Sequence, residues 1–159
     1  MRVETPLLER TLAIARVDWT PSHRQPSVVR LAVATMTAIL GSLVADMIIV
    51  AIGTHIFPGT ADYDHFRFSD YAKLTIIGAA LGAAGWPVLT RISSAPRWLY
   101  ARLTILISLV LFLPDAWLLL HHQPLKDVVV LMVMHVAVAA VIYCSMVLIA
   151  PIRRFHATG

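Results

Sequence analysis

Four long apolar runs dominate the chain, over about Val28–Gly53, Tyr71–Thr90, Trp98–Leu120 and Val128–Ile152. A helix needs about 20 apolar residues to cross the hydrocarbon core of a bilayer, and each run meets that length. Polar breaks separate them. Residues Thr54–Asp70 hold Pro58-Gly59, Asp62, Asp64, Asp70, His55 and His65, and read as a loop. Ser93-Ser94-Ala95-Pro96-Arg97 and His121-His122-Gln123-Pro124 read as tight turns. The pattern predicts an all-α integral membrane fold: an antiparallel four-helix transmembrane bundle over residues 28–152.

Residues 1–27 are a separate segment. They are not a cleavable signal peptide, because the first apolar run starts late, at Val28, and is too long for such a peptide's core. Pro6–Trp19 reads as a short amphipathic helix capped by Thr5, with Pro6 in the first turn. Leu8, Leu12, Ala15 and Trp19 fall on one side, and Glu9 and Arg16 lie opposite. Such a helix would lie on the inner leaflet. A partly disordered tail is the competing reading, since short helices are marginal in water.

Composition supports a lipid-facing surface. A soluble domain is about 45–50% apolar and about 25% charged. Here the apolar fraction is 58%, the charged fraction 14% and the mean hydropathy +0.76. With 159 residues the chain is one domain. The single Cys144 excludes an intramolecular disulfide and a Cys-rich metal knuckle. The pI near 9.7 raises nucleic acid as a partner. That reading fails, because the basic residues flank the apolar runs and form no separate patch.

Charge also sets an expected orientation. Arg2, Arg10, Arg16, Arg24, Arg30, Arg91, Arg97, Arg102, Arg153 and Arg154 fall on one side of the four spans, and only Arg67, Lys73 and Lys126 on the other. Ten against three puts both termini, the middle turn and the tail at 153–159 in the cytosol. The loops at 54–70 and 121–127 then face outside.

Three ionisable residues fall within the spans: Asp46 in the first, Asp115 in the third directly after Pro114, and His135 in the fourth. Such groups are costly at membrane depth and usually face a bundle interior or a water-filled cavity. At about 1.5 Å per residue, all three sit about two turns or less from the outer ends. They extend polar stripes, with Thr35 and Ser42 below Asp46, and Thr104 and Ser108 below Asp115. Pro114 frees the carbonyl of Val110, which water or a neighbour must satisfy. An Asp/His cluster here is either a buried ionic clasp, a proton or cation path, or an unclustered set facing water.

Weaker signals remain. His55, Asp62, Asp64, His65, His121 and His122 are candidate metal ligands on the outer side, but their spacing matches no metal site. Solvated loop residues are the plainer reading, and no cofactor is expected. Gly78, Gly82 and Gly85 give the second span a small face for close helix packing. Within the chain that face would serve packing; between chains it would serve self-association or attachment to a larger complex. Phosphate-cradling glycine loops and helical zinc-protease motifs are absent, so a non-enzymatic role is expected.

Three segments carry a resemblance: Phe68-Ser69-Asp70-Tyr71, Leu113-Pro114-Asp115 and Met134-His135-Val136. Over about residues 28–152 the chain resembles small four-span membrane proteins of high-GC Gram-positive bacteria, a family of unknown function. The resemblance implies a bacterial plasma membrane and marks Asp70, Pro114, Asp115 and His135, but it supplies no activity. The leading expectation is a small accessory subunit or self-associating bundle. The alternative is a small proton- or cation-coupled transporter or channel that uses Asp46, Asp115 and His135.

Overall fold

The computed structural model describes residues 5–14, 16–17, 23–60 and 66–154. Five helices lie within them: α1 (Thr5–Ile14), α2 (Val28–Ile56), α3 (Phe68–Ile92), α4 (Pro96–Leu120) and α5 (Leu125–Ile149). Helices α2 to α5 are each long and apolar enough to cross a membrane. α1 covers the first part of the amphipathic segment expected over Pro6–Trp19, and Ala15 and Trp19 lie outside the described residues.

Local chemistry sets the helix ends. Ser27 caps α2 by accepting a hydrogen bond from the Arg30 amide at 3.4 Å. Pro96 opens α4, where its missing N–H is not needed. α4 closes in a Schellman motif, with the Gln123 amide bonded to Leu118 O and the His122 amide to Leu119 O, each at 3.2 Å. α5 stops at Ile149, three residues short of the expected Ile152. The reason is Pro151, which lacks an amide and pushes Ala150 out of the helical region. α3 continues through Pro87 and α4 through Pro114.

The bundle is a four-cornered arrangement. α2 packs mainly on α5 and also on α3, while α4 packs on α5 and α3. α3 and α5 also meet across the centre. Glycines allow the α2–α5 approach: a Cβ on Gly53 would lie 2.9 Å from Val130 Cγ2, and one on Gly41 would lie 3.0 Å from Val141 Cγ1. α4 is the most peripheral helix. Only 6% of its most apolar 18-residue stretch is buried, against 22% to 33% in the other three.

The residues that lead into α2 and follow α5 meet at one end of the bundle. His23–Arg24 pairs antiparallel with Arg153–Arg154 in a two-residue ladder, the only one among the described residues. Gln25 Nε2 donates to Thr90 O at 2.7 Å, and Thr90 Oγ1 donates to Gln25 Oε1 at 2.7 Å. Ser93 Oγ donates to Arg16 O at 2.8 Å. The same end is closed by aromatic side chains whose polar atoms are bonded. Trp86 Nε1 donates to Ala150 O at 2.9 Å, and the Tyr100 hydroxyl to Gly82 O at 2.9 Å. Tyr143 stacks on Tyr100 with centroids 5.7 Å apart.

Candidate functional site

The apolar interior is split into two clusters. The larger surrounds Ala34, Ala38, Ala79, Ala83, Trp86 and Ile142, and the smaller surrounds Phe66, Tyr71, Ala72, Val130 and Met134. On α2 the gap between them holds Ser42 and Asp46; on α3 it holds Thr75, and on α5 His135. α4 contributes Asp115 to the same set, one turn and a half from its end at Leu120. Each of the four long helices thus supplies a polar group to one interior layer.

Two contacts organise that layer. Thr75 Oγ1 donates to Asp46 Oδ2 at 2.6 Å, joining α3 to α2. Asp115 Oδ2 lies 3.1 Å from His135 Nδ1, joining α4 to α5. The Asp115 carboxylate is 5% exposed and the imidazole 34%, so the His ring is the one member of the pair with an open side. The His135 ring is also within electrostatic range of Asp46, although no hydrogen bond joins them. Tyr71, one turn from Thr75, lies within electrostatic range of Asp46 too. The structure therefore links Asp115 with His135 directly, and Asp46 to them through space.

Hydrogen bonding in the layer is incomplete. Ser42 Oγ, Asp46 Oδ1, Asp115 Oδ2 and His135 Nδ1 are buried, and none has a hydrogen-bond partner. Asp115 Oδ2 and His135 Nδ1 face each other at 3.1 Å as an ion pair, whereas Ser42 Oγ and Asp46 Oδ1 face no such partner. A buried polar atom without a partner costs about 1–3 kcal/mol. All four lie in this one layer. Thr35 and Ser108 are different, because their hydroxyls donate back to Leu31 O and Thr104 O within their own helices at 2.8 Å. They take no part in the layer.

The family comparison bears on this set. A model described as a family of unknown function, DUF6069, matches residues 21–150. The chain belongs to DUF6069. The match takes in all four long helices and every member of the polar layer, and it agrees with the resemblance to a family of unknown function. Neither a curated protein nor a solved structure matches this DUF6069 chain at a significant level.

The loop candidates that are described do not gather. Among the described residues no three His, Cys, Asp or Glu side chains are placed to hold one metal ion. His121 Nδ1 bonds to Trp117 O at 2.9 Å, and its ring lies on Trp117 with centroids 3.8 Å apart. His122 forms the turn itself, with φ of 63°. His55 is an exposed residue in the last turn of α2. Asp62, Asp64 and His65 lie outside the described residues.

The glycine face on α3 divides. Gly82 packs on Ile142, with a Cβ placed 3.2 Å from Cγ2, and Gly85 faces Tyr100 at 3.8 Å. Gly78 does not belong with them: its position is exposed, and a Cβ there meets nothing within 4 Å. The helix has turned it away from its neighbours.

Sequence reasoning missed Thr75, Tyr71 and Asp127. The first two share a face with the start of α3, and their spacing of four residues was the available signal. Asp127 reads as a loop acid but is buried in the first turn of α5, and its Oδ1 has no partner.

Proposed function

We propose that this chain is a non-enzymatic membrane protein that passes protons through its bundle, alone or coupled to a solute, by way of Asp46, His135 and Asp115. The observation that carries the reading is the buried polar layer of Ser42, Asp46, Asp115 and His135, in which Asp115 and His135 pair at 3.1 Å while Ser42 Oγ and Asp46 Oδ1 have no hydrogen-bond partner among the described residues. A clasp built only for stability would satisfy its buried groups. A relay needs groups that exchange partners, and the imidazole of His135 suits that role between two carboxylates. A proton fits better than a metal cation, because no three ligands converge on one point among the described residues. The bonded aromatic end at Trp86 and Tyr100 would act as the closed side, and the Asp/His layer would be reached from the other. The lysine and arginine distribution supports a cytosolic location for both termini, hence a cytosolic aromatic end. The resemblance supports a bacterial plasma membrane.

The test is proton flux in proteoliposomes under an imposed pH gradient and membrane potential. Wild-type protein should acidify the lumen, reported by an enclosed dye. Asp115→Asn and Asp46→Asn should fold and abolish the flux. Flux unchanged in both variants would sink the relay.

A second reading has its own observation. Gly78 and most of the apolar surface of α4 are unpartnered among the described residues. They support a self-associating bundle or an accessory subunit of a larger membrane complex.

A further inference from the structure

The end of the bundle where the residues before α2 and after α5 meet holds a second unusual constellation. Arg16 and Arg102 both lie against the ring of Trp98, with guanidinium carbons 5.1 Å and 3.9 Å from its centroid. The two carbons are therefore no more than about 9 Å apart, the sum of those distances. Both arginines are exposed, and neither has a carboxylate partner among the described residues. Two like charges inside one screening length of about 10 Å repel each other. Contact with a ring face leaves guanidinium N–H donors free, and that fork matches the oxygens of a phosphate.

The fold holds the pair together at a cost. Arg16 has φ of 51°, a left-handed conformation that costs a non-glycine residue about 1–2 kcal/mol. It is fixed there by Ser93 Oγ on its carbonyl and by the bridge between Val17 and Ser93. Arg16 is the left-handed residue of a Schellman cap closing α1, with the Val17 amide on Leu12 O at 2.9 Å and the Arg16 amide on Ala13 O at 3.1 Å. Along α4 the same face continues from Trp98 and Arg102 to Ile105 and Leu109, at helical spacings of four, three and four. Ile105 is 61% exposed and Leu109 57%, so the charged pair opens directly onto an uncovered apolar strip.

We infer that Arg16, Trp98 and Arg102 bind the phosphate of an anionic phospholipid, whose acyl chains lie along Ile105 and Leu109 of α4. Charge complementarity selects the headgroup. The apolar strip selects a lipid over a soluble phosphate ester. The site is independent of the Asp/His layer, and its function would be to fix α4, the least buried of the spans, against the rest of the bundle.

Native mass spectrometry of the full chain in detergent tests this, with phosphatidylglycerol as the probe and phosphatidylcholine as the neutral control. Wild-type protein should retain phosphatidylglycerol in preference to phosphatidylcholine. A charge-assisted hydrogen bond from each contacting arginine to the lipid phosphate is worth about fivefold or more in affinity. Arg16→Gln with Arg102→Gln should therefore weaken retention about tenfold or more, and either single change should weaken it measurably if the pair does not fold. Arg91→Gln with Arg97→Gln removes the same charge from exposed positions at the same end and should leave retention within about twofold. Unchanged binding in the first pair, equal loss in the second, equal retention of phosphatidylcholine, or displacement by equimolar glycerol phosphate would each overturn the proposal.

Discussion

Thr75 Oγ1 donates a 2.6 Å hydrogen bond to Asp46 Oδ2, across 29 positions of sequence and between two helices that run in opposite directions. Among the described residues it is the only hydrogen bond that Asp46 receives, since Oδ1 has none. Hydrogen bonds to charged groups are worth about 1.5–3 kcal/mol, and an orphaned buried partner adds to the loss. Thr75→Val keeps the shape and removes the donor, so we expect about 2–3 kcal/mol of destabilisation in detergent unfolding. Thr75→Ser keeps the hydroxyl and should lose less than half as much.

The Asp115–His135 contact calls for a different experiment. Its atoms are 3.1 Å apart, and the imidazole is 34% exposed while the carboxylate is 5% exposed. A static ion pair and two neighbours that merely tolerate each other predict different coupling. A double-mutant cycle with Asp115→Asn and His135→Gln, read by unfolding, separates them. Residues in one polar network show coupling of about 0.5–3 kcal/mol. We expect a value in the lower half of that range, because the His135 ring is one-third exposed. A coupling near zero would mean that the two side chains do not act together, and the relay would lose its central step.

The turn after α4 offers a stability prediction of opposite sign. His122 occupies the left-handed position of the Schellman motif, with φ of 63°, where glycine is the usual residue. A non-glycine side chain costs about 1–2 kcal/mol there, and glycine's added freedom in the unfolded chain offsets about 0.5–1. His122→Gly should therefore be neutral or stabilising by up to about 1 kcal/mol, and His122→Val should destabilise. A melt series of the three proteins checks it. Loss of stability in His122→Gly would show that the imidazole has a role beyond the turn.

Much of the fold is legible in the sequence because lipid imposes a simple rule: long apolar runs become long helices. What the runs do not reveal is rotation about each axis. Gly78 and Gly82 look equivalent by spacing, yet only Gly82 meets a neighbour, Ile142. Gly41 and Gly53, one on each side of Asp46, make the tighter contacts. The small residues Ala34, Ala38 and Ser42 at intervals of four were the signal for that face. Asp46, Asp115 and His135 stand out individually because charge is rare in apolar runs. Thr75 does not, since a lone threonine among small and aliphatic residues is ordinary filler. The ladder between His23–Arg24 and Arg153–Arg154 has no periodic signature, being two residues long.

That contrast between glycines yields the last prediction. At Gly53 an added Cβ would lie 2.9 Å from Val130 Cγ2 and 3.1 Å from Cγ1, so no methyl of that valine clears it. Valine in a helix is held in one χ1 rotamer about 90% of the time, so it cannot swing aside freely. Overpacking of this kind costs about 1–3 kcal/mol, more than the gain of up to about 1 from replacing glycine by alanine in a helix. Gly53→Ala should therefore destabilise the bundle. Gly78→Ala meets no obstacle and should stabilise by up to about 1 kcal/mol. The larger Gly78→Leu should fold as well as wild type. Its oligomeric state is then informative. If a second copy or another membrane protein packs on the open face of α3, leucine at position 78 will block it, and size-exclusion chromatography with light scattering will show a smaller assembly. If the face looks at lipid, leucine will suit it and the assembly will not change, leaving self-association through α3 without support.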